Sequence, residues 1–168
     1  MSSIDLTLAE ESGSCKLYTG ESCARSNYFI PASKTQTEID KSIVSLHENG
    51  KPYKEDLCSH LVRNALCSLK YRKCVAQEEK EPLVLLLCKA SCNKLQKSLC
   101  VTSLDHDSQL GRWFHNNLKC DERNDMDYAK ENATSEEKKC HNSLRIPSKL
   151  YIRKHVKLIM TSLVSNLE

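Results

Sequence analysis

Thiols are the side chains with the widest chemistry in this 168-residue chain, and ten of them lie between Cys15 and Cys140. A cysteine thiolate can attack a carbonyl, ligate a metal or pair with a second cysteine, and each use demands its own surroundings. A zinc knuckle calls for ligands a turn apart, yet no C-x-x-C occurs; Cys88 and Cys92 stand four apart and the others are spaced too widely for a finger. A nucleophile needs a histidine base held by a third group. The histidine candidates are Asp105-His106-Asp107, with His60, His115 and His141 elsewhere, and the carboxylate-flanked one reads as a solvated loop. No catalytic residue, metal site or cofactor is expected. The even count, at a density of roughly 8% over the cysteine-bearing span, points instead to a disulfide scaffold folded in an oxidising compartment.

Charge and targeting signals narrow the class further. Twenty-five Lys and Arg oppose 22 Asp and Glu, interspersed along most of the chain, so nucleic acid is not an expected partner. Asn132-Ala133-Thr134 is an N-glycosylation acceptor in a polar, charged stretch, the composition of a surface segment. Residues 1–14 read as a polar flexible leader with no apolar signal-peptide core, and no run of 18 apolar residues occurs. The expected location is extracellular, secreted or as the ectodomain of a membrane receptor, with signal peptide and anchor outside this chain.

Three stretches read as the helices that must position the cysteines. Thr35-Gln36-Thr37-Glu38 has the form of a capping box. Ile39, Ile43, Val44 and Leu46 follow at helical spacing, and Asn49-Gly50 reads as a left-handed stop before Pro52. A second helix is predicted from about Glu55 to Tyr71, with Leu57, Leu61, Val62, Ala65 and Leu69 on its apolar side. Cys58 and Cys67, nine residues apart, fall on opposite faces at about 100° per residue and cannot pair with each other. A third helix is predicted to start at Pro82 and run through Leu83-Val84-Leu85-Leu86-Leu87 to about Leu99, with Cys88 and Cys92 on one face. Residues 101–140 show no clear period beyond the aromatic pair Trp113-Phe114 and read as irregular structure. Residues 141–168 form a basic tail in which Leu150–Leu167 reads as an amphipathic helix able to dock on the domain or on a membrane surface.

Ten cysteines can pair in on the order of a thousand ways, so spacing alone does not fix the connectivity. The spacing does resemble a family. Cys15-x7-Cys23, then Cys58-x8-Cys67-x6-Cys74, Cys88-x3-Cys92-x7-Cys100 and single Cys120 and Cys140 are similar to the ten-cysteine Frizzled domain over residues 15–140. Asn27-Tyr28 before Pro31, Leu66-Cys67-Ser68 and Trp113 resemble further family positions. The resemblance implies a mainly α, small disulfide-rich domain with short irregular or β segments. It implies bonds joining Cys15 with Cys74, Cys23 with Cys67, Cys58 with Cys100, Cys88 with Cys140, and Cys92 with Cys120. It also implies an extracellular binding role toward lipid-modified secreted proteins of the Wnt class, with an apolar groove that accommodates a fatty acid.

One departure bears on that groove. The family tends to carry bulky aromatic residues beside a proline before its third cysteine, whereas Pro52 here follows Glu48-Asn49-Gly50-Lys51. The remaining groove candidates are Tyr53, Leu57, Leu69 and Tyr71. The alternative on the same scaffold is a protein–protein adhesion or co-receptor module that binds no lipid.

Overall fold

In the computed structural model the described residues are 15–23, 28–53, 56–127 and 139–150. Helices and short strands alternate along them: β1 (Cys15–Leu17), β2 (Phe29–Pro31), α1 (Gln36–Asn49), α2 (Asp56–Lys70), β3 (Lys73–Gln77), β4 (Lys80–Leu85), α3 (Lys89–Lys97), α4 (Leu99–Thr102), α5 (Gln109–Asn117), a 3-10 turn (Cys120–Glu122), β5 (Met126–Asp127) and β6 (Lys139–Cys140). The domain is mainly α, small and disulfide-rich, and its strands form two-stranded sheets. No helix among the described residues is long and apolar enough to cross a membrane.

Helix α2 is the spine. Leu61, Val62, Ala65 and Leu66 are fully buried on it, against Ile43 and Leu46 of α1 and Leu110 and Phe114 of α5. Its two cysteines leave in different directions, Cys58 to Cys100 on α4 and Cys67 to Cys23 after β1. Three further bonds, Cys15–Cys74, Cys88–Cys140 and Cys92–Cys120, join β1 to β3 and fasten the start of α3 to the chain that follows α5. No described cysteine is free.

Helix α1 begins after Thr35 as the capping pattern predicts, but the Thr35 side chain makes no capping hydrogen bond. Its other end corrects the sequence reading more sharply. Gly50 is right-handed, with φ −77°, so glycine is not there for a left-handed stop. It is there for space: a Cβ at position 50 would collide with a Leu110 methyl and with the Tyr53 ring. Gly111 answers the same demand where α5 crosses the loop before it, against the backbone oxygen of Asp105.

The predicted third helix does not start at Pro82. Residues 80–85 form a strand antiparallel to β3, with Cys74 opposite Val84 and Val75 opposite Leu83. Within Leu83–Leu87, Leu85 and Leu87 are buried while Val84 and Leu86 are exposed, an alternation of period two that an all-apolar run conceals. Pro82 falls at the irregularity in register, where a missing N–H costs no ladder bond. The turn places Glu79 in the left-handed region at φ 56°. Helix α3 starts only after Cys88, and Ser98 ends it, its hydroxyl donating to the Leu95 carbonyl at 2.7 Å and accepting from the Val101 N–H. Cys88 therefore stands at the helix boundary and Cys92 one turn inside.

The segment read as irregular contains α5. Ser108 caps it by accepting the Gly111 N–H at 3.0 Å, and Phe114 fills the core. Trp113 packs partly buried against the core, with the Lys70 ammonium 5.0 Å above its ring. Past Cys140 the chain stays attached: His141 exchanges backbone hydrogen bonds with Leu86 and Cys88, and Leu144 and Leu150 are buried. The rest of the basic tail, 151–168, lies outside the described residues, as does the 1–14 leader.

Two outcomes test this packing. Gly50→Ala would ordinarily favour a helix end in right-handed geometry, yet overpacking against Leu110 and Tyr53 should destabilise the fold by about 1–3 kcal/mol in chemical denaturation. Replacing Cys58 and Cys100 together by alanine should remove about 2–5 kcal/mol, read from the shift in denaturation midpoint.

Candidate functional site

The connection from α1 to α2 and the connection from α4 to α5 face each other across a cleft of 280 Å³. Asn49, Gly50, Lys51, Pro52 and Tyr53 form one wall, and Ser103, Leu104, Asp105 and Ser108 the other. The walls are held in register because the Asn49 side-chain oxygen accepts the Leu110 N–H at 3.1 Å, fastening the end of α1 to the start of α5. On the second wall the Ser108 hydroxyl donates to the Asp105 carbonyl at 2.6 Å, and an Asp105 carboxylate oxygen accepts the Asp107 N–H at 3.0 Å. The Asp105-His106-Asp107 triplet is thus an exposed, turn-forming loop beside the cleft.

Tyr53 is the anchor of the first wall. Its ring stacks on His47 with centroids 5.3 Å apart, and its hydroxyl donates to the His47 carbonyl at 2.6 Å. Burial and the nearby Glu48 charge push the phenol up to about 12, so it remains a neutral donor. Lys51 meets Glu48 at 2.8 Å on the exposed lip, and that ammonium draws the Glu48 carboxyl below its usual range. Apart from Pro52, Tyr53 and Leu104, the cleft offers amide, hydroxyl and charged groups.

The four groove candidates do not assemble. Leu57 and Leu69 lie in the first and last turns of α2, roughly 18 Å apart along a helix rising 1.5 Å per residue. Both pack partly buried against the core. Tyr71 is a correction: it is 1% exposed, and its hydroxyl donates to Asp40 at 2.6 Å and lies 3.0 Å from the Gln36 carbonyl. Of the four, Tyr53 lines the cleft described above. Asn132 lies outside the described residues.

Sequence reasoning missed Asp40, which ties the strand end of the molecule to α1. Tyr18 donates to both of its carboxylate oxygens at 3.0 Å and Tyr71 to one of them, while the Tyr18 oxygen accepts the Cys23 N–H. Burial raises both phenols above the usual tyrosine range. The available signal was three tyrosines, Tyr18, Tyr28 and Tyr71, each near a cysteine; an isolated aspartate on a helix carries no such mark.

A second hollow, of 440 Å³, lies between α4, α5 and the 3-10 turn. Val101, Leu104, Phe114 and Leu118 form its apolar floor, and His106, His115, Lys119 and Asp121 stand at its rim. The other histidines are dispersed: His60 is exposed on α2, and His141 is buried with Nδ1 2.6 Å from the Ser143 hydroxyl. Among the described residues no group of three or more His, Cys, Asp and Glu is placed to hold a metal ion. The chain matches no family model, no curated protein and no solved structure.

His47 couples this region to pH. It is 6% exposed, its Nε2 lies 3.0 Å from the Ser59 carbonyl, and its Nδ1 has no hydrogen-bond partner. Burial holds its pKa below the ordinary imidazole value; the bond to the Ser59 carbonyl opposes it most, Arg63 and Lys51 add to the lowering, and Glu48 opposes it weakly. The neutral ring's contribution to stability is complete above about pH 6.5, the unfolded value, and is lost as pH falls toward the lowered folded value. The thermal midpoint should fall more steeply from about pH 7 to about pH 5 in the native chain than in His47→Leu; parallel slopes would remove His47 as the source.

Proposed function

We propose that this chain is an extracellular ligand-binding domain of the Frizzled type whose ligand is a secreted protein of the Wnt class. One observation carries the reading: the ten cysteines close as the same five pairs that the resemblance in spacing implies. Five disulfides also suit an oxidising, extracellular environment.

The cleft between the α1–α2 and α4–α5 connections is the contact surface of this proposal. A fatty acyl chain gains about 0.8 kcal/mol per CH₂ only where apolar walls receive it. This cleft has 280 Å³ and few apolar walls, at the low edge of the roughly 300–1,000 Å³ typical of enclosed ligand sites. Those features favour recognition of the ligand's protein surface through Lys51, Tyr53 and Asp105 over insertion of its lipid. They equally support the second reading, a co-receptor module that binds a protein without lipid.

The test is binding of the immobilised, oxidised chain to an acylated Wnt-class protein and to its delipidated form. The two should bind within a few-fold of each other, and Lys51→Glu or Asp105→Lys should weaken both by about tenfold while circular dichroism shows the native fold retained. A loss of more than about a hundredfold on delipidation would assign the lipid to this domain after all. Binding of neither form would reject the Wnt-class ligand.

A further inference from the structure

Asn49-Gly50 is the one Asn-Gly pair in the chain. Such a pair can rearrange with water as its only co-reactant. The Gly50 backbone nitrogen loses its proton and attacks the Asn49 side-chain carbonyl carbon, the C–NH₂ bond breaks, and ammonia departs to leave a cyclic imide. Water then opens one of the two imide C–N bonds, giving an aspartyl residue or an isoaspartyl residue. Glycine is the follower least able to obstruct the attack, because it has no Cβ and turns most freely. Asn49 is exposed at the end of α1, where water reaches it.

In the folded molecule both reacting groups are engaged by neighbours. The Gly50 N–H donates to the His47 carbonyl at 3.3 Å, and the Asn49 side-chain oxygen accepts the Leu110 N–H at 3.1 Å. Ring closure must turn the peptide plane between Asn49 and Gly50, yet the space beside Gly50 is filled: a Cβ built there would collide with a Leu110 methyl and with the Tyr53 ring. Leu110 thus engages both halves of the pair, the asparagine through its N–H and the glycine through its side chain. Reaction needs the start of α5 to leave the end of α1, a local opening that frees the two groups to align. The two products differ in what they permit afterwards. An aspartyl side chain keeps an oxygen for the Leu110 N–H, at the positive end of α5. An isoaspartyl residue puts an extra methylene into the main chain directly before Gly50, where not even a Cβ fits. We infer that Asn49-Gly50 is a modification site that works as a one-way latch: Leu110 guards it while α1 and α5 are joined, and its conversion to isoaspartate keeps them parted. The inference concerns the junction of α1 with α5 and does not rest on the ligand reading, so either can fail alone.

Peptide mapping over time tests it, on the native oxidised chain and on the same chain reduced and denatured, with an isoaspartyl-specific methyltransferase to label the product. The denatured chain should convert at Asn49, faster as pH rises, and the native chain at least about tenfold more slowly, because only the open fraction reacts. Ser108→Ala removes the cap of α5; it should speed native conversion several-fold and leave the denatured rate unchanged. Hydrogen exchange at the Leu110 amide then reads the latch: protection should be lost in the isoaspartyl chain and kept in Asn49→Asp. Equal native and denatured rates, or a Ser108→Ala chain that converts no faster, overturn the guarding by Leu110. Absence of conversion even in the denatured chain overturns the site itself. An isoaspartyl chain that still protects Leu110, or an Asn49→Asp chain that does not, overturns the one-way latch.

Discussion

The architecture depends on α2 being held from both sides at once. Its cysteines point nearly opposite ways, so Cys58 draws in α4 while Cys67 draws in the segment that follows β1. Between those two covalent ties lies the apolar strip Leu61, Val62, Ala65 and Leu66, on which α1 packs, with α5 against α1 and in the same core cluster. A chain with two phenylalanines and one tryptophan has little aromatic area with which to hold such a stack, and cross-links shift the balance by restricting the unfolded chain. The tyrosines supply the rest. Tyr18, Tyr28 and Tyr71 bury their rings, and their hydroxyls are satisfied by Asp40 and by the Tyr71 carbonyl.

What the sequence discloses follows from where helical periodicity is local. Helices α1 and α2 are legible because their apolar residues recur at helical spacing between clear breaks. The β3–β4 hairpin is not, because Leu83–Leu87 is apolar at every position and only burial separates Leu85 and Leu87 from Val84 and Leu86. Helix α5 is hidden for the opposite reason: its inward residues Leu110 and Phe114 are embedded in Gln, Arg, His and Asn, and its stability comes from tertiary contacts. Ser98 breaks a pattern that otherwise runs smoothly from Cys92 to Leu99.

The candidate site was half legible for similar reasons. Pro52 and the polar residues before it marked the α1–α2 connection as a place where this chain departs from the pattern it resembles, and the structure makes that connection a wall of the cleft. The opposing wall came from residues 103–108, a loop with no periodicity to read. The groove reading set Leu57, Leu69 and Tyr71 along one lining. The helix instead distributes the leucines to its two ends, and the hydrogen bond to Asp40 draws the tyrosine inside.

The last two disulfides give the region after α5 an unusual covalent topology. Cys120 is bonded to Cys92 and Cys140 to Cys88, so both ends of the intervening stretch return to the first turn of α3. Closure entropy grows only with the logarithm of loop length, so insertions between those ends carry a small thermodynamic cost. A protease that cuts there severs the main chain but separates nothing: the Cys88–Cys140 bond still carries everything downstream, including the Leu144 and Leu150 plug. A nicked molecule would gain only the mass of one water and keep its core until a reductant divided it into two pieces.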